Sequence, residues 1–355
     1  MKKYNVAVVG ATGNVGREIL NILDFRNFPV NKVFALASSK SEGLKVIYGN
    51  DKEIEVSNLE KFDFKTIDIV LSSAGSKVSE KFSKKAIKNG SIIIDNTSHF
   101  RMTKDVPLIV PEVNPEELSK FKKKKIISNP NCSTIQMVVA LKPIHDLFKI
   151  KKIIVSTYQS TSGAGKTAMD ELFHQTLDVY KNKPLEPKVF SKRIAFNLIP
   201  HIDDFLNDGN TKEEDKMINE TKKILNADIE IFSTCVRVPV FVGHGESVYI
   251  ETEKKINLKK LIMNMKKFPG LSVISENVNG GYVTPDESAG EDNVFVSRLR
   301  VKDDNKMGLW VVADNLRKGA ALNTVQIAEL LIKKHLKWQK ILKVDILKII
   351  TSGIF

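Results

Sequence analysis

The start of the chain restricts its fold more than anything that follows. Tyr4 to Val9 reads YNVAVV, a short apolar run suited to a strand buried in a parallel sheet. It breaks at once into Gly10-Ala11-Thr12-Gly13-Asn14-Val15-Gly16, and the following REILNIL has a helical pattern. Glycines spaced in this way between a strand and a helix answer three physical demands. The corner must be tight, a pyrophosphate must reach backbone N–H groups, and the helix must pack closely on the strand. The unpaired amides and positive dipole end of the helix then face the diphosphate. A glycine motif alone is weak evidence, and the strand before and helix after give it its specificity. Gly10, Thr12, Gly13, Asn14, Val15 and Gly16 are therefore candidate cofactor-binding residues.

The alternation continues. Lys32 to Ala37 reads as a second strand, ending in Ser38-Ser39-Lys40. An NAD site would place an acid there for the ribose 2′-hydroxyl. Two hydroxyls and a cation suit the 2′-phosphate of NADP instead, with Glu42 close by as the contrary signal. Ile67 to Leu71 is a strand leading to Ser73 and Gly75, and VSEKFSKKAIKNG is a helix closed by Gly90. Ser91 to Asp95 is the next strand, delivering Asn96 to Met102. Ligands of open parallel sheets bind beyond the carboxyl ends of the strands, so Ser73 and Gly75 join the cofactor candidates. Arg101, on the same edge, suits a bidentate phosphate or carboxylate contact, and an ordinary loop arginine is the plain alternative. The fold class expected is α/β. Residues 1–130 form a doubly wound, Rossmann-type dinucleotide domain, and 131–320 an α/β catalytic and dimerisation domain. With 355 residues, 42% of them hydrophobic, the chain is long enough for two cores.

The thiol comes next. Lys125 to Ser128 is a short strand ending in Asn129-Pro130-Asn131-Cys132-Ser133-Thr134, after which IQMVVALKPIHDLF reads as a helix. Cys132 then sits at a helix N-terminus, a setting that stabilises thiolate, the species that attacks carbonyl carbon. Cys235, inside Ile231 to Val236, reads as a core residue. Ile153 to Tyr158 is a strand ending in Gln159 and a flexible Ser- and Gly-rich loop, Ser160 to Lys166, that includes Gly163. That loop lacks the spacing of a P-loop. Arg237-Val238-Pro239-Val240-Phe241-Val242-Gly243-His244-Gly245 is expected to turn Arg237 and His244 toward one cleft. A histidine between glycines would be open to small molecules and titrate near neutrality, as acid–base work requires. A surface histidine is the plain alternative. The remaining histidines (His99, His145, His174, His201 and His335) are dispersed, which favours chemistry without a metal.

Two cysteines and no signal-peptide pattern point to a reducing, cytoplasmic setting. The apolar tail is interrupted by Lys340, Lys343, Asp345 and Lys348, so no membrane span is expected. The formal charge of +13 comes from lysines spread along the chain. The dense run Lys122 to Lys125 reads as a solvated turn. No nucleic-acid motif accompanies the charge, which suits a general attraction for anionic small molecules.

Seven segments together resemble one family. They are GATGNVG (10–16), SHFRM (98–102), PEVN (111–114), SNPNCST (128–134), TYQSTSGAG (157–165), RVPVFVGHGE (237–246) and DNLRKGAALNTVQIAE (314–329). The chain is similar to the aspartate-semialdehyde dehydrogenases, in their bacterial branch. The resemblance implies NADPH-dependent reductive dephosphorylation of L-4-aspartyl phosphate to L-aspartate 4-semialdehyde. It makes Cys132 the nucleophile, His244 its acid–base partner and Gln159 the residue orienting the thioester. Arg237 would grip the substrate α-carboxylate and Glu213 its amino group, while Arg101, Asn131 and Lys216 would receive the phosphate. Gly163 and Asn315 would lie by the nicotinamide. Ala320 to Leu336, read as an amphipathic helix, would return to pack on the first domain, and two copies would form a homodimer. N-acetyl-glutamyl-phosphate reductase shares the fold and chemistry but has another signature around the thiol. A non-enzymatic NADP-binding protein is the third reading.

Overall fold

The computed structural model describes residues 2–336. Met1 and residues 337–355 lie outside the described residues, and with them the reading of the Lys340–Lys348 tail. The first sheet is built from β1 (Tyr4–Val9), β2 (Val30–Ala37), β3 (Lys45–Tyr48), β4 (Lys52–Asn58), β5 (Ile69–Ser72), β6 (Ile92–Asp95) and β7 (Ile126–Ser128). Their order is β3-β4-β2-β1-β5-β6-β7, parallel throughout except where β3 pairs with β4. The chain turns left of β1 to β2 and right of it to β5, which makes the end of β1 the switch point of the sheet. α1 (Asn14–Phe25) buries Ile19, Leu20, Ile22 and Leu23 against one sheet face. α2 (Ser76–Lys88) sets Phe82 and Ala86 on the other, in a cluster with Phe64 and Ile93.

The register lines up the functional edge. Leu36 pairs with Val9, Val9 with Ser72, Ser72 with Asp95, and Asp95 with Ser128. The loops that begin after these residues therefore emerge side by side, and the last of them carries the thiol.

α3 (Cys132–Phe148) leads from this edge into the second core, its residues from Ile135 to Leu141 almost all fully buried. β8 (Ile150–Gln159), α4 (Lys166–Tyr180), α5 (Lys212–Leu225), β9 (Glu230–Arg237), β10 (His244–Thr252), α6 (Leu258–Met265), β11 (Leu271–Val273), α7 (Pro285–Ser288), β12 (Val294–Lys302) and β13 (Lys306–Ala313) follow. The second sheet runs β11-β12-β13-β10-β8-β9, with α3 packed against its core face. Cys235 is fully buried there, as its apolar run implies.

The chain then returns to the first domain through a π-helical turn, Arg317–Ala321, and α8 (Leu322–Leu331). Leu322, Val325, Ile327, Ala328 and Leu331 join the apolar cluster of β1 and α1. The amphipathic reading of this segment is corrected. α8 lies among α1, β5 and β6, so most of its circumference is covered. The run expected as a turn at Lys122–Lys125 is also partly helical, since a 3₁₀ segment spans Pro115–Lys123 and leaves only Lys124 and Lys125 outside it.

Candidate active site

The glycine corner has the geometry its spacing demands. Gly10 has φ +81°, a left-handed conformation costly for any residue with a Cβ. A Cβ on Gly16 would stand 2.1 Å from the Gly10 carbonyl oxygen, so only glycine lets α1 approach the strand this closely. Gly13 forms the N-cap of α1 and Gly75 that of α2, both without a side-chain cap, leaving helix N–H groups exposed along the sheet edge. Ser73 hydroxyl donates to the Val9 carbonyl at 3.2 Å, tying the β5 loop to the same corner. Thr12 and Val15 lie on this turn, and Asn14 donates to the Met169 sulfur of α4 at 3.5 Å. These residues fit a dinucleotide. Ser38, Ser39 and Lys40 are exposed at the end of β2, in and beside a 3₁₀ turn. Glu42 is held away as an acceptor for Asn58 Nδ2 at 3.0 Å.

Cys132 is the first residue of α3. Asn131 caps it, its Oδ1 accepting from the Ser133 and Thr134 N–H groups at 3.0 and 3.3 Å. Facing this corner is the end of the second sheet. Arg237 pairs in register with Gln159, Gln159 with His244, and His244 with Ala313, so three candidate side chains share one row and one face. Cys132, Gln159, Arg237, Arg101, Asn131, Glu213, Lys216, Gly163 and Asn315 all line one cleft of about 430 Å³ between the domains, together with Val15 and Ser73. The remaining glycine-corner residues and Ser38 to Lys40 lie along the neighbouring sheet edge, outside that lining.

The charges in the cleft are fixed by one another. Glu213 accepts from Asn131 Nδ2 at 2.8 Å, Gln159 Nε2 at 3.2 Å and Lys216 Nζ at 3.1 Å. Burial alone would raise its carboxyl, but Lys216 and Asn131 hold it below the ordinary range. Burial likewise opposes the Lys216 ammonium, yet Glu213 and Asp203, the latter at 2.7 Å, keep it above its usual value. Arg237 Nη1 donates to the Ser160 carbonyl at 2.6 Å.

Burial works against both expectations about protonation. Cys132 keeps part of its surface open, but burial and then Glu213 push its thiol up to about 12, against the pull of Arg237 and Arg101. His244 is fully buried and not open to the cleft, and burial with Arg237 pushes its imidazole down to about 3. The cause is the loop after Gln159. Instead of a flexible loop it forms a 3₁₀ turn at Thr161–Ala164, with Ser160, Thr161 and Ser162 buried and Gly163 lying over the imidazole. A Cβ on Gly163 would meet Arg237 Nη1 at 3.1 Å and His244 Nε2 at 3.3 Å. The Ser160 N–H donates to His244 Nδ1 at 3.1 Å. A backbone N–H can only donate, so the proton of the neutral imidazole sits on Nε2, which has no partner among the described residues. Asn315 Oδ1 accepts from the Ser160 and Ser162 hydroxyls and from the Gly243 N–H, locking the turn to β10.

Three residues that the sequence reading passed over complete the site. Ser160 sets the His244 tautomer. Gly319 lies against Cys132, where an added Cβ would be 2.8 Å from Cys132 Cβ. Glu220 binds Arg101 Nη1 at 2.9 Å and the Asn131 N–H at 2.7 Å. Its position seven residues after Glu213 puts both acids on one face of α5, a spacing visible in the sequence. α8 supports the same loops, with Asn323 donating to Asn129 Oδ1 and Thr324 to Asn96 Oδ1. Among the described residues no helix is long and apolar enough to cross a membrane.

Known proteins place this arrangement. A family profile described as semialdehyde dehydrogenase, NAD binding domain, matches residues 5–121, and one described as semialdehyde dehydrogenase, dimerisation domain, matches residues 141–318. The aspartate-semialdehyde dehydrogenase of Rickettsia bellii is 50% identical over 94% of this chain and 99% of its own length. That of Aquifex aeolicus is 52% identical, with the same coverage of both. The crystal structure of aspartate semialdehyde dehydrogenase II of Vibrio cholerae, complexed with ASA, superposes with a TM-score of 0.92 at 47% identity, covering 94% of this chain and all of that one. With the two-domain α/β architecture, the dinucleotide corner and the thiol cleft already in place, the chain belongs to the aspartate-semialdehyde dehydrogenase family of oxidoreductases, in its bacterial branch.

Proposed function

We propose that this chain catalyses the NADPH-dependent reductive dephosphorylation of L-4-aspartyl phosphate to L-aspartate 4-semialdehyde, through a thioester on Cys132. The product would feed diaminopimelate, lysine, threonine, methionine and isoleucine synthesis. The observation that carries the reading is the charge layout around one thiol. A buried carboxylate, Glu213, and two guanidiniums, Arg237 and Arg101, line the same cleft as Cys132. An amino acid with an acyl phosphate on its side chain presents the matching ammonium, carboxylate and phosphate.

In this reading Cys132 sulfur bonds to the acyl carbon, the carbon–oxygen bond to phosphate breaks, and the thiol proton leaves with the phosphate, which departs toward Arg101, Asn131 and Lys216. Gln159 orients the thioester. Nicotinamide, when bound, supplies the hydride that reduces it, and Gly10 to Gly16, Ser73, Gly75, Gly163 and Asn315 are the residues placed to hold that cofactor, with Ser38, Ser39 and Lys40 toward a 2′-phosphate. Once the Gly163 turn that covers the imidazole shifts, His244 donates a hydrogen bond from Nε2 to the oxygen that develops charge, and collapse of that oxyanion to the aldehyde expels the Cys132 sulfur. We assign residues 1–130 to cofactor binding, and 131–320 to catalysis and dimerisation. Ile154 and Phe232, paired in register and exposed on the outer face of the second sheet, suit a contact between two copies. Two free thiols suit a reducing cytoplasm.

The test is NADPH formation from L-aspartate 4-semialdehyde and phosphate, run beside N-acetyl-glutamate semialdehyde and repeated with Cys132→Ala. Turnover of the first substrate alone, abolished in the variant, is expected. Preference for the acetylated substrate, or activity without the thiol, overturns the proposal.

A further inference from the structure

We infer that Glu220 is a positioning residue for the anion side of the cleft, because one carboxylate oxygen holds Arg101 and the other holds the backbone immediately before the thiol. The inference rests on the proposed reaction, in which Arg101 receives phosphate. No bond to the cleft is asked of Glu220 itself.

The hydrogen bonds leave little freedom. Arg101 has five N–H donors. Nε donates to the Asn129 carbonyl at 3.0 Å, Nη2 to the Asn96 carbonyl at 2.7 Å, and Nη1 to Glu220 Oε1 at 2.9 Å. One donor on each terminal nitrogen remains, and these are what Arg101 can offer an anion. The two carbonyls belong to loops of the first sheet. Among the described residues Glu220 alone ties the guanidinium to α5, the helix that also carries Glu213 and Lys216. Its other oxygen accepts the Asn131 N–H at 2.7 Å, and Asn131 caps the helix that begins with Cys132. A buried carboxylate, 1% exposed, therefore joins the arginine to the backbone before the nucleophile, beside the Asn129 carbonyl that holds Nε. Both oxygens accept, from donors that cannot accept in return, and Arg101 and the Asn131 N–H so support the carboxylate against burial, which raises its pKa.

Two consequences of removing it have opposite signs, which makes the inference testable. If position is what Glu220 contributes, a freed guanidinium presents its donors poorly and phosphate binds less well. If charge compensation were its contribution, baring the Arg101 cation would make phosphate bind better.

Glu220→Gln keeps the shape and an acceptor for the Asn131 N–H, but turns an amide donor or a neutral oxygen toward Arg101. In the phosphate-dependent oxidation of L-aspartate 4-semialdehyde, we expect its KM for phosphate to rise about 10-fold to 100-fold, the range of one charge-assisted hydrogen bond. The KM for semialdehyde and kcat at saturating phosphate stay near wild type, because the glutamine still accepts the Asn131 N–H, Gln159 and Lys216 also hold Glu213, and the Ser160 carbonyl holds Arg237. Glu220→Asp keeps the buried pair charged and draws it back by one methylene. It serves as the second variant should the uncompensated arginine prevent Glu220→Gln from folding, and a smaller rise confined to phosphate is expected. A phosphate KM that is unchanged or lower in either folded variant overturns the inference, as does a parallel rise in both KM values. Absence of phosphate-dependent turnover in the wild type would instead defeat the proposed reaction.

Discussion

Gly319→Ala should damage the reaction far more than the fold. The added Cβ would stand 2.8 Å from Cys132 Cβ, 3.3 Å from Cys132 Cα and 3.6 Å from Asn315 Cβ. Carbon atoms rest at about 3.5–4.0 Å, so the closest pair overlaps by about 0.7–1.2 Å. Neither side can swing away. Cys132 Cβ is one bond from the first residue of α3, which Asn131 caps. Gly319 follows Lys318, whose Nζ is held by Glu112, Asn323 and Gln326, and Arg317, held by Glu18 and Asp292. The clash must therefore be relieved by moving the thiol corner and the π-helical turn apart by roughly an ångström. Overpacking of this kind costs about 1–3 kcal/mol of stability, which a folded two-domain chain can absorb. The same displacement at a nucleophile is worth about 100-fold in rate. The expected result is a folded variant with a lowered unfolding midpoint and kcat/KM reduced about 100-fold, measured as NADPH formation from semialdehyde and phosphate. A kcat/KM close to wild type in folded Gly319→Ala would refute the reasoning, since it would mean the corner has slack where the distances leave none.

Three further outcomes follow from the site. Burial and then Glu213 hold the Cys132 thiol up to about 12, so the iodoacetamide alkylation rate should keep climbing through pH 9 in the wild type; Glu213→Gln should move that curve to lower pH, and an unmoved curve would remove Glu213 from the thiol's electrostatics. Arg237→Lys should raise the semialdehyde KM and lower kcat, because a point charge cannot reproduce the fixed donor fork; an altered phosphate KM alone would show that Arg237 and Arg101 have exchanged roles. Lys40→Ala should lower kcat/KM for NADP about 10-fold, the lower end of a charge-assisted bond at an exposed site, with little change for NAD; a preference for NADP that survives would credit Ser38, Ser39 and backbone amides.

The local pieces were legible because their constraints are local. A buried strand, a glycine corner and a helix follow one another within the first 25 residues, and the structure returns them as β1, Gly10 to Gly16 and α1. Cys132 at a helix N-terminus was equally readable from Ser128-Asn129-Pro130-Asn131. The row Arg237–Gln159–His244 was not, because strand pairing is a tertiary choice: β8 takes β9 in parallel and β10 antiparallel across long separations. The glycines beside His244 misled for a definite reason. They suggested openness, yet a Cβ on Gly243 would stand 2.2 Å from the Pro285 carbonyl oxygen, and one on Gly245 2.4 Å from the Trp310 ring. Glycine is there because neighbours press in, and the histidine between them is buried for the same reason.

That burial changes what the catalytic pair can do before substrate arrives. The thiol is pushed up and the imidazole down, so each is neutral across the physiological range. Ser160 occupies Nδ1 as a donor, which leaves the proton on Nε2 and no lone pair there to take one from sulfur. His244 in this state is a hydrogen-bond donor, suited to an oxygen gaining charge and unsuited to deprotonating Cys132. Activation of the thiol must then come from a change in its surroundings, and Glu213 is the largest unfavourable charge beside it. A substrate ammonium set against Glu213 would cancel that push while the Arg237 and Arg101 pulls remain. Glu213→Gln imitates this neutralisation without substrate, and so its shifted alkylation curve measures how much of the thiolate is owed to recognition of the amino group.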